Sequence, residues 1–136
     1  MSAIDTASTQ YAQASTMLAN LYTTIPLMRG SLVASVDGRV LVADLDESRQ
    51  GATAAVVASS FALGAKLAEV IGNSGVGEMT VQTDDGYVCL YAAGDRAVLA
   101  TLAMPNANLG LLNIRSREAA ASLAELVPAL VQVTSP

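Results

Sequence analysis

The stretch "EMTVQTDDGYVCLYAAGDRAVLATLA", residues 78–103, leaves the chain little conformational choice. Three runs rich in apolar and β-branched residues, 78–83, 87–93 and 96–103, are separated only by Asp84-Asp85-Gly86 and by Gly94-Asp95. Parallel strands need a crossover of a dozen residues or more, so joints this short dictate antiparallel neighbours in a meander. Another pair of runs, residues 31–36 and 39–44, flanks Asp37-Gly38. Asp-Gly between such runs is a strong hairpin signal, because a type I′ turn needs positive φ at both central positions. The chain is therefore committed to a five-stranded antiparallel sheet.

The remaining segments read as helices. In residues 6–25, Tyr11, Ala14, Leu18, Leu21 and Ile25 recur at three- and four-residue spacing. Asp5 or Thr6 suits the cap at its start. Pro26 stops it, because its ring disfavours helical geometry in the residue before it. Residues 48–72 form a long helix closed by Gly72, Asn73 and Gly75. It carries two adjacent apolar stripes: Val56, Leu63, Leu67 and Val70 make one, and Val57, Phe61, Ala65, Ala68 and Ile71 the other. One stripe serves the sheet. The second runs with Ala54, Ala58, Gly64 and Ala65, small residues that let backbones approach closely. It calls for another partner, and a second copy of the same helix suits it; burial of both stripes within one chain is the alternative.

The last helix spans about residues 108–130. Leu111, Ile114, Ala121 and Leu126 mark its inner face, and Arg115, Arg117, Glu118 and Glu125 its outer one. Pro128 is expected to break or bend its last turn. Pro105-Asn106-Ala107-Asn108 leads from the last strand into this helix. Asn106 or Asn108 accepts a hydrogen bond from a free backbone N–H, and Gly110 in the first turn permits close packing on the strand. The order α-β-β-α-β-β-β-α, with helices on both faces of the sheet, is an α/β sandwich of the profilin-like kind. It reads as a single domain over residues 1–136, with its core in about residues 6–130.

Hydrophobic residues make up 52% of the 136 positions and charged ones 14%. That is more apolar surface than a domain this small hides easily, and a homo-oligomer would use it. The net charge is −5. The basic residues are scattered as Arg29, Arg39, Arg49, Lys66, Arg96, Arg115 and Arg117, and only the last two lie close together. No basic patch neutralises phosphates, so neither nucleic acid nor an anionic membrane surface is an expected partner. The opening "MSAIDTASTQ" lacks the basic and apolar regions of a secretory signal. The uncharged run at 50–65 is short, and rich in Ala, Gly and Ser, for a membrane insertion. A cytoplasmic protein is expected.

The chain has no histidine. That removes Cys-His and Ser-His-Asp nucleophiles and most zinc sites. Cys89, alone in "YVCLYAA", reads as a small buried hydrophobe. Gly64-Ala65-Lys66 lies inside a helix with no Ser or Thr following, so it is no phosphate loop, and the Rossmann glycine pattern is missing. Asp84 and Asp85 are turn residues, while Asp46 and Glu47 precede a helix whose dipole favours negative charge. No catalytic, cofactor-binding or metal residue is expected.

At this point "MRGSLVASVDGRVLVADL", "AAVVASSFALGAKLAEVIG" and "MTVQTDDGYVCLYAAGDRAVLATLAMPNANLGLLNIRSREAAASL" come together. In this order they resemble the Roadblock / dynein light chain family, over about residues 15–127. The Asn-Leu-Gly segment at 108–110 and the Gly94-Asp95 turn are the most telling parts. The resemblance implies homodimers or heterodimers in which the middle helices pack together and the third strands join two sheets into a continuous ten-stranded one. It thereby points to Thr53, Ala54, Val57, Ala58, Phe61, Gly64 and Ala65 on the helix, and Met79 and Val81 on the strand, as a dimer or partner interface. Many prokaryotic members work with a small Ras-like GTPase as activator or scaffold, and in the gliding-motility system the regulator acts by reshaping the GTPase rather than by inserting a catalytic arginine. Eukaryotic relatives serve as dynein light chains or as lysosomal scaffold subunits.

The expectation is a non-enzymatic homodimeric regulator or scaffold of a small Ras-like GTPase, needing no cofactor. A light-chain-like adaptor that binds a protein or peptide without a GTPase is one alternative. A small-ligand sensory domain is the other, and the scarcity of polar residues at inward positions counts against it.

Overall fold

The computed structural model describes residues 3–72 and 75–134. Its elements are α1 (Ala3–Thr24), β1 (Met28–Ser35), β2 (Val40–Asp44), α2 (Glu47–Ala68), β3 (Glu78–Thr83), β4 (Gly86–Ala92), β5 (Ala97–Ala103) and α3 (Leu109–Thr134). This is the α-β-β-α-β-β-β-α order expected from the sequence. The strands form one antiparallel sheet in the order β2-β1-β5-β4-β3. The two hairpin systems therefore meet at β1 and β5, and α2 carries the chain from one sheet edge to the other.

Successive residues of a strand point to opposite faces, and the core divides accordingly. Val33, Cys89, Tyr91, Ala97 and Leu99 join Leu18 and Ile25 of α1 and Leu112, Leu123 and Leu130 of α3 in one apolar cluster. Leu32, Ala34, Leu90, Val98 and Ala100 join Ala54 and Val57 of α2 in the other. Both faces of β1 and β5 are covered, so these strands read as unbroken apolar runs.

The β1–β2 hairpin forms, but its turn is longer than the two-residue type I′. The Ser35 N–H donates to the Arg39 carbonyl at 2.9 Å and the Gly38 N–H to the Ser35 carbonyl at 2.9 Å. Residues 36–38 thus make a three-residue loop. Only Gly38 among them has positive φ, at 90°, the left-handed closing position of such loops. Asp37 needs no positive φ because only the last residue of such a loop is left-handed; the Ser35 hydroxyl donates to its carboxylate and holds its pKa below the usual carboxylate range.

Helix ends also differ in detail. Asp5 and Thr6 lie inside α1 rather than at its cap. Of the expected α1 inner face, Ala14, Leu18, Leu21 and Ile25 are buried, while Tyr11 is exposed. α2 ends at Ala68, and the N–H groups of Glu69, Val70 and Ile71 fold back on carbonyls three residues earlier, a tightened last turn. Gly72 and Gly75 follow this end, and Asn73 lies outside the described residues. In α3 the buried side is Leu112, Ser116, Ala120, Leu123, Val127 and Leu130, with Leu126 beside them. The expected Ile114 and Ala121 face solvent, and Leu111 is half-buried. α3 continues through Pro128 to Thr134 instead of breaking.

The Asn108 side chain caps α3, accepting from the Leu111 N–H at 3.0 Å. Gly110 is exposed and approaches only this cap, not the strand. Replacing Asn108 with Ala removes the cap and is expected to cost about 1 kcal/mol. Thermal or urea unfolding checks this, and an unchanged midpoint would assign the helix start to other contacts.

Candidate functional site

The interface residues expected on α2 lie mostly beneath it. Ala54, Val57, Ala58 and Gly64 are buried, Phe61 packs against the α2-side core, and Thr53 and Ala65 are half-buried. The stripe carrying them rests on the chain's own sheet, opposite to the expected orientation. The reason is approach distance. Small side chains let α2 sit close to the strands, and where it crosses the edge a Cβ at Gly64 would meet the Met79 sulfur. The sheet, rather than a second helix, is what the small residues admit.

The other stripe is therefore bare. Val56 is 64% exposed, Leu63 67% and Leu67 72%, and Val70 and Ile71, beyond the helix end, are 79% and 93% exposed. These are large aliphatic side chains on one side of one helix. Such a patch marks an interaction surface. α2 also has the length and mean hydropathy of a membrane-crossing helix, yet its other side is built into the core, as in a core helix of a globular domain.

Beside this stripe lies an open sheet edge. β3 pairs with β4 alone. Met79 is half-buried against α2, while Glu78, Thr80, Val81, Gln82 and Thr83 are exposed. The edge is fixed from the far face of the sheet. The Arg117 guanidinium of α3 grips both carboxylate oxygens of Glu78, with Nε at 3.0 and 2.9 Å and Nη2 at 2.7 Å. Bidentate geometry of this kind specifies orientation as well as attraction.

Little else offers chemistry. Among the described residues no group of three or more His, Cys, Asp or Glu side chains is placed to hold a metal ion. Cys89 is buried, and burial pushes its thiol pKa up, away from reactivity. Burial likewise raises the Tyr91 phenol, whose hydroxyl donates to Asn113 Oδ1 at 2.6 Å. The grooves are shallow. One of about 650 Å³ between α1 and α3 is lined by small or flexible side chains such as Ala12, Thr16, Met17 and Ser122, with Glu125 as its only ionisable lining group. Asp37, Gly38, Gly94, Asp95, Asn108 and Gly110 all sit at turns or the α3 start, as read from the sequence.

Val56, Leu63, Leu67 and Val70 were legible as a stripe but assigned to the wrong side. The bulk of their side chains was the usable signal: the residues that must approach a sheet closely are the small ones.

The profile of the Roadblock/LC7 domain matches residues 15–103. A Roadblock/LC7 domain structure from Streptomyces avermitilis has a TM-score of 0.79 at 22% identity, covering 83% of this chain and 96% of that one. A structure of MglB in a tetrameric arrangement has a TM-score of 0.82 at 23% identity, covering 89% of this chain and 92% of that one. Profilin IA of Acanthamoeba castellanii shares the wider architecture, with a TM-score of 0.57 at 17% identity, covering 82% of this chain and 96% of that one. No curated protein matches the chain. The structural likenesses speak for the fold, and the profile match spans well over half of the sequence: this chain belongs to the Roadblock/LC7 family.

Proposed function

We propose that this protein is a non-enzymatic regulator or scaffold of a small Ras-like GTPase, working as a homodimer in the cytoplasm. The observation that carries the reading is the bare aliphatic stripe of α2 beside the open β3 edge. A surface made of apolar side chains and unpaired backbone groups is built to bind protein, not to transform a small molecule. Family membership supports the GTPase as partner, because the sequence resembles members that serve one. The tetrameric arrangement of MglB, a protein of the same fold, supports self-association.

Such a protein alters hydrolysis only by holding one GTPase conformation more tightly than another, a shift bounded by its differential affinity for the two states. The reading is tested by capture from native lysate with tagged protein, in GDP and in a non-hydrolysable GTP analogue. Nucleotide-dependent retention of a Ras-like GTPase is the expected result. Retention of no GTPase in either state would overturn it and leave a light-chain-like adaptor.

A further inference from the structure

We infer that Arg29 and Arg49 together form a binding point for one acidic side chain of a protein partner, with an apolar residue of that partner beside it.

The backbone brings the two cations together. Met28 stands opposite Ala103 and Gly30 opposite Leu102, so Arg29 is one residue too many for the β1–β5 ladder. A bulge of this kind re-aims the side chain it carries. Just before it, Leu27 holds φ at 67°, alone among the described non-glycine residues in having a positive value. Its carbonyl accepts from the Met104 N–H at 2.9 Å. Such a conformation persists only where its surroundings over-determine it. On the other side, Gly30 admits a close approach. A Cβ there would lie 2.5 Å from Leu45 Cδ2 and 2.7 Å from the Asp44 carbonyl oxygen. The joint between β2 and α2 therefore closes directly onto β1, and Arg49, at the start of α2, arrives beside Arg29 with it. Two shallow grooves, of about 220 and 470 Å³, share Arg29, Leu45 and Arg49 in their walls.

Both guanidiniums are exposed, and neither is in an ion pair with a described residue. Arg29 Nη1 donates to the Asp85 carbonyl of the β3–β4 turn at 3.2 Å. That bond orients the group without neutralising it. Arg39, Arg115 and Arg117 differ, since each is paired with a carboxylate of this chain. A guanidinium without an internal carboxylate keeps its fork of donors for an external one.

The surroundings select the anion. Asp44, Asp46 and Asp85 line the same grooves. Their charges repel a phosphate dianion or a run of phosphates more strongly than a single carboxylate seated between the two cations. Tyr87, Val88 and Leu102 line the adjoining groove with apolar surface, which suits an aliphatic residue next to the acidic one. A free small molecule needs a cleft that buries most of its surface. These grooves are too shallow for that, whereas a side chain presented by another protein needs no such enclosure.

Heteronuclear NMR of the arginine Nε–H groups reads the site in the intact chain. The probe is N-acetyl-Glu-Leu-amide, titrated at constant ionic strength. The Arg29 and Arg49 signals are expected to shift together and to half-saturate near about 10 mM, while those of the paired Arg39, Arg115 and Arg117 stay in place. N-acetyl-Gln-Leu-amide should bind at least about tenfold more weakly, because it lacks the charge. In Arg49→Gln the Arg29 shift should be lost with the unfolding midpoint unchanged. The absence of a saturable shift at either arginine overturns the site. Equal binding of the Gln peptide, or tighter binding of inorganic phosphate, overturns the carboxylate as its ligand. Acetate binding as tightly as the Glu peptide overturns the protein partner, because the apolar neighbour then contributes nothing.

Discussion

Gly86→Ala should lower the stability of the chain by about 3 kcal/mol, one of the largest effects expected of a single methyl group here. Gly86 opens β4 after the Asp84-Asp85 turn, at φ 139°, a conformation that L side chains rarely adopt. A Cβ at this position would run into the Ala103 carbonyl oxygen, and its distances to the Ala103 carbonyl carbon and the Met104 Cα would be 3.2 and 3.4 Å. All three atoms are backbone of β5 or its end, so no side chain can swing aside. Relief requires separating the start of β4 from the end of β5, two inner strands of the sheet. Differential scanning calorimetry checks this, with a fall in Tm of about 10 °C expected for a domain of this size. A Tm within about 2 °C of the parent would show that the β3–β4 turn adopts another geometry.

That turn also shows what the sequence makes legible. Strands and their joints are encoded locally: Asp84-Asp85-Gly86, Gly94-Asp95 and Asp37-Gly38 each declare a reversal through residues that few other structures favour. Hairpin pairing makes the β1–β2 and β3–β4–β5 neighbours legible; that the two units join at β1 and β5, leaving β3 open, is set by the structure. The α3 cap was legible to within two residues, Asn106 or Asn108, and the Leu111 N–H meets Asn108.

Helix orientation was not legible in this way. Adjacent residues on a helix differ by about 100° in direction, so the Val56 and Val57 stripes of α2 are neighbours, both apolar, and periodicity cannot say which one meets the sheet. Packing decides, and it favours the side where Ala54, Ala58 and Gly64 allow a close approach. α3 misled differently. Its buried side includes Ser116, whose hydroxyl donates to Thr101 Oγ1 at 3.3 Å inside the core. A polar residue satisfied by a partner on another element does not announce itself as buried, whereas the apolar Ile114 reads as inner face and lies exposed. The Arg117–Glu78 clamp joins residues 39 apart in sequence, and no local pattern pairs them.

The orientation of α2 separates two substitutions that look alike on paper. Leu63→Glu places a carboxylate on the bare stripe, where the side chain is 67% exposed in the single chain. The monomer has no reason to object, and its circular dichroism and unfolding midpoint below the dimerisation range should match those of the parent chain. In the proposed dimer this position would be buried against a second apolar stripe. An unpaired charge there costs several kcal/mol, which raises the dissociation constant by at least about 100-fold. Val57→Glu puts the same group under the helix, in a site 4% exposed and walled by Leu32, Leu90 and Val98. It should unfold or aggregate the chain rather than yield a folded monomer, because the charge is buried before any partner arrives. Sedimentation equilibrium beside circular dichroism reads both outcomes. A Leu63→Glu protein of unchanged dimer mass would remove the outer stripe from the interface. A well-folded Val57→Glu monomer would turn the helix over. The two results are independent, since the first measures association and the second measures what holds α2 to its own sheet.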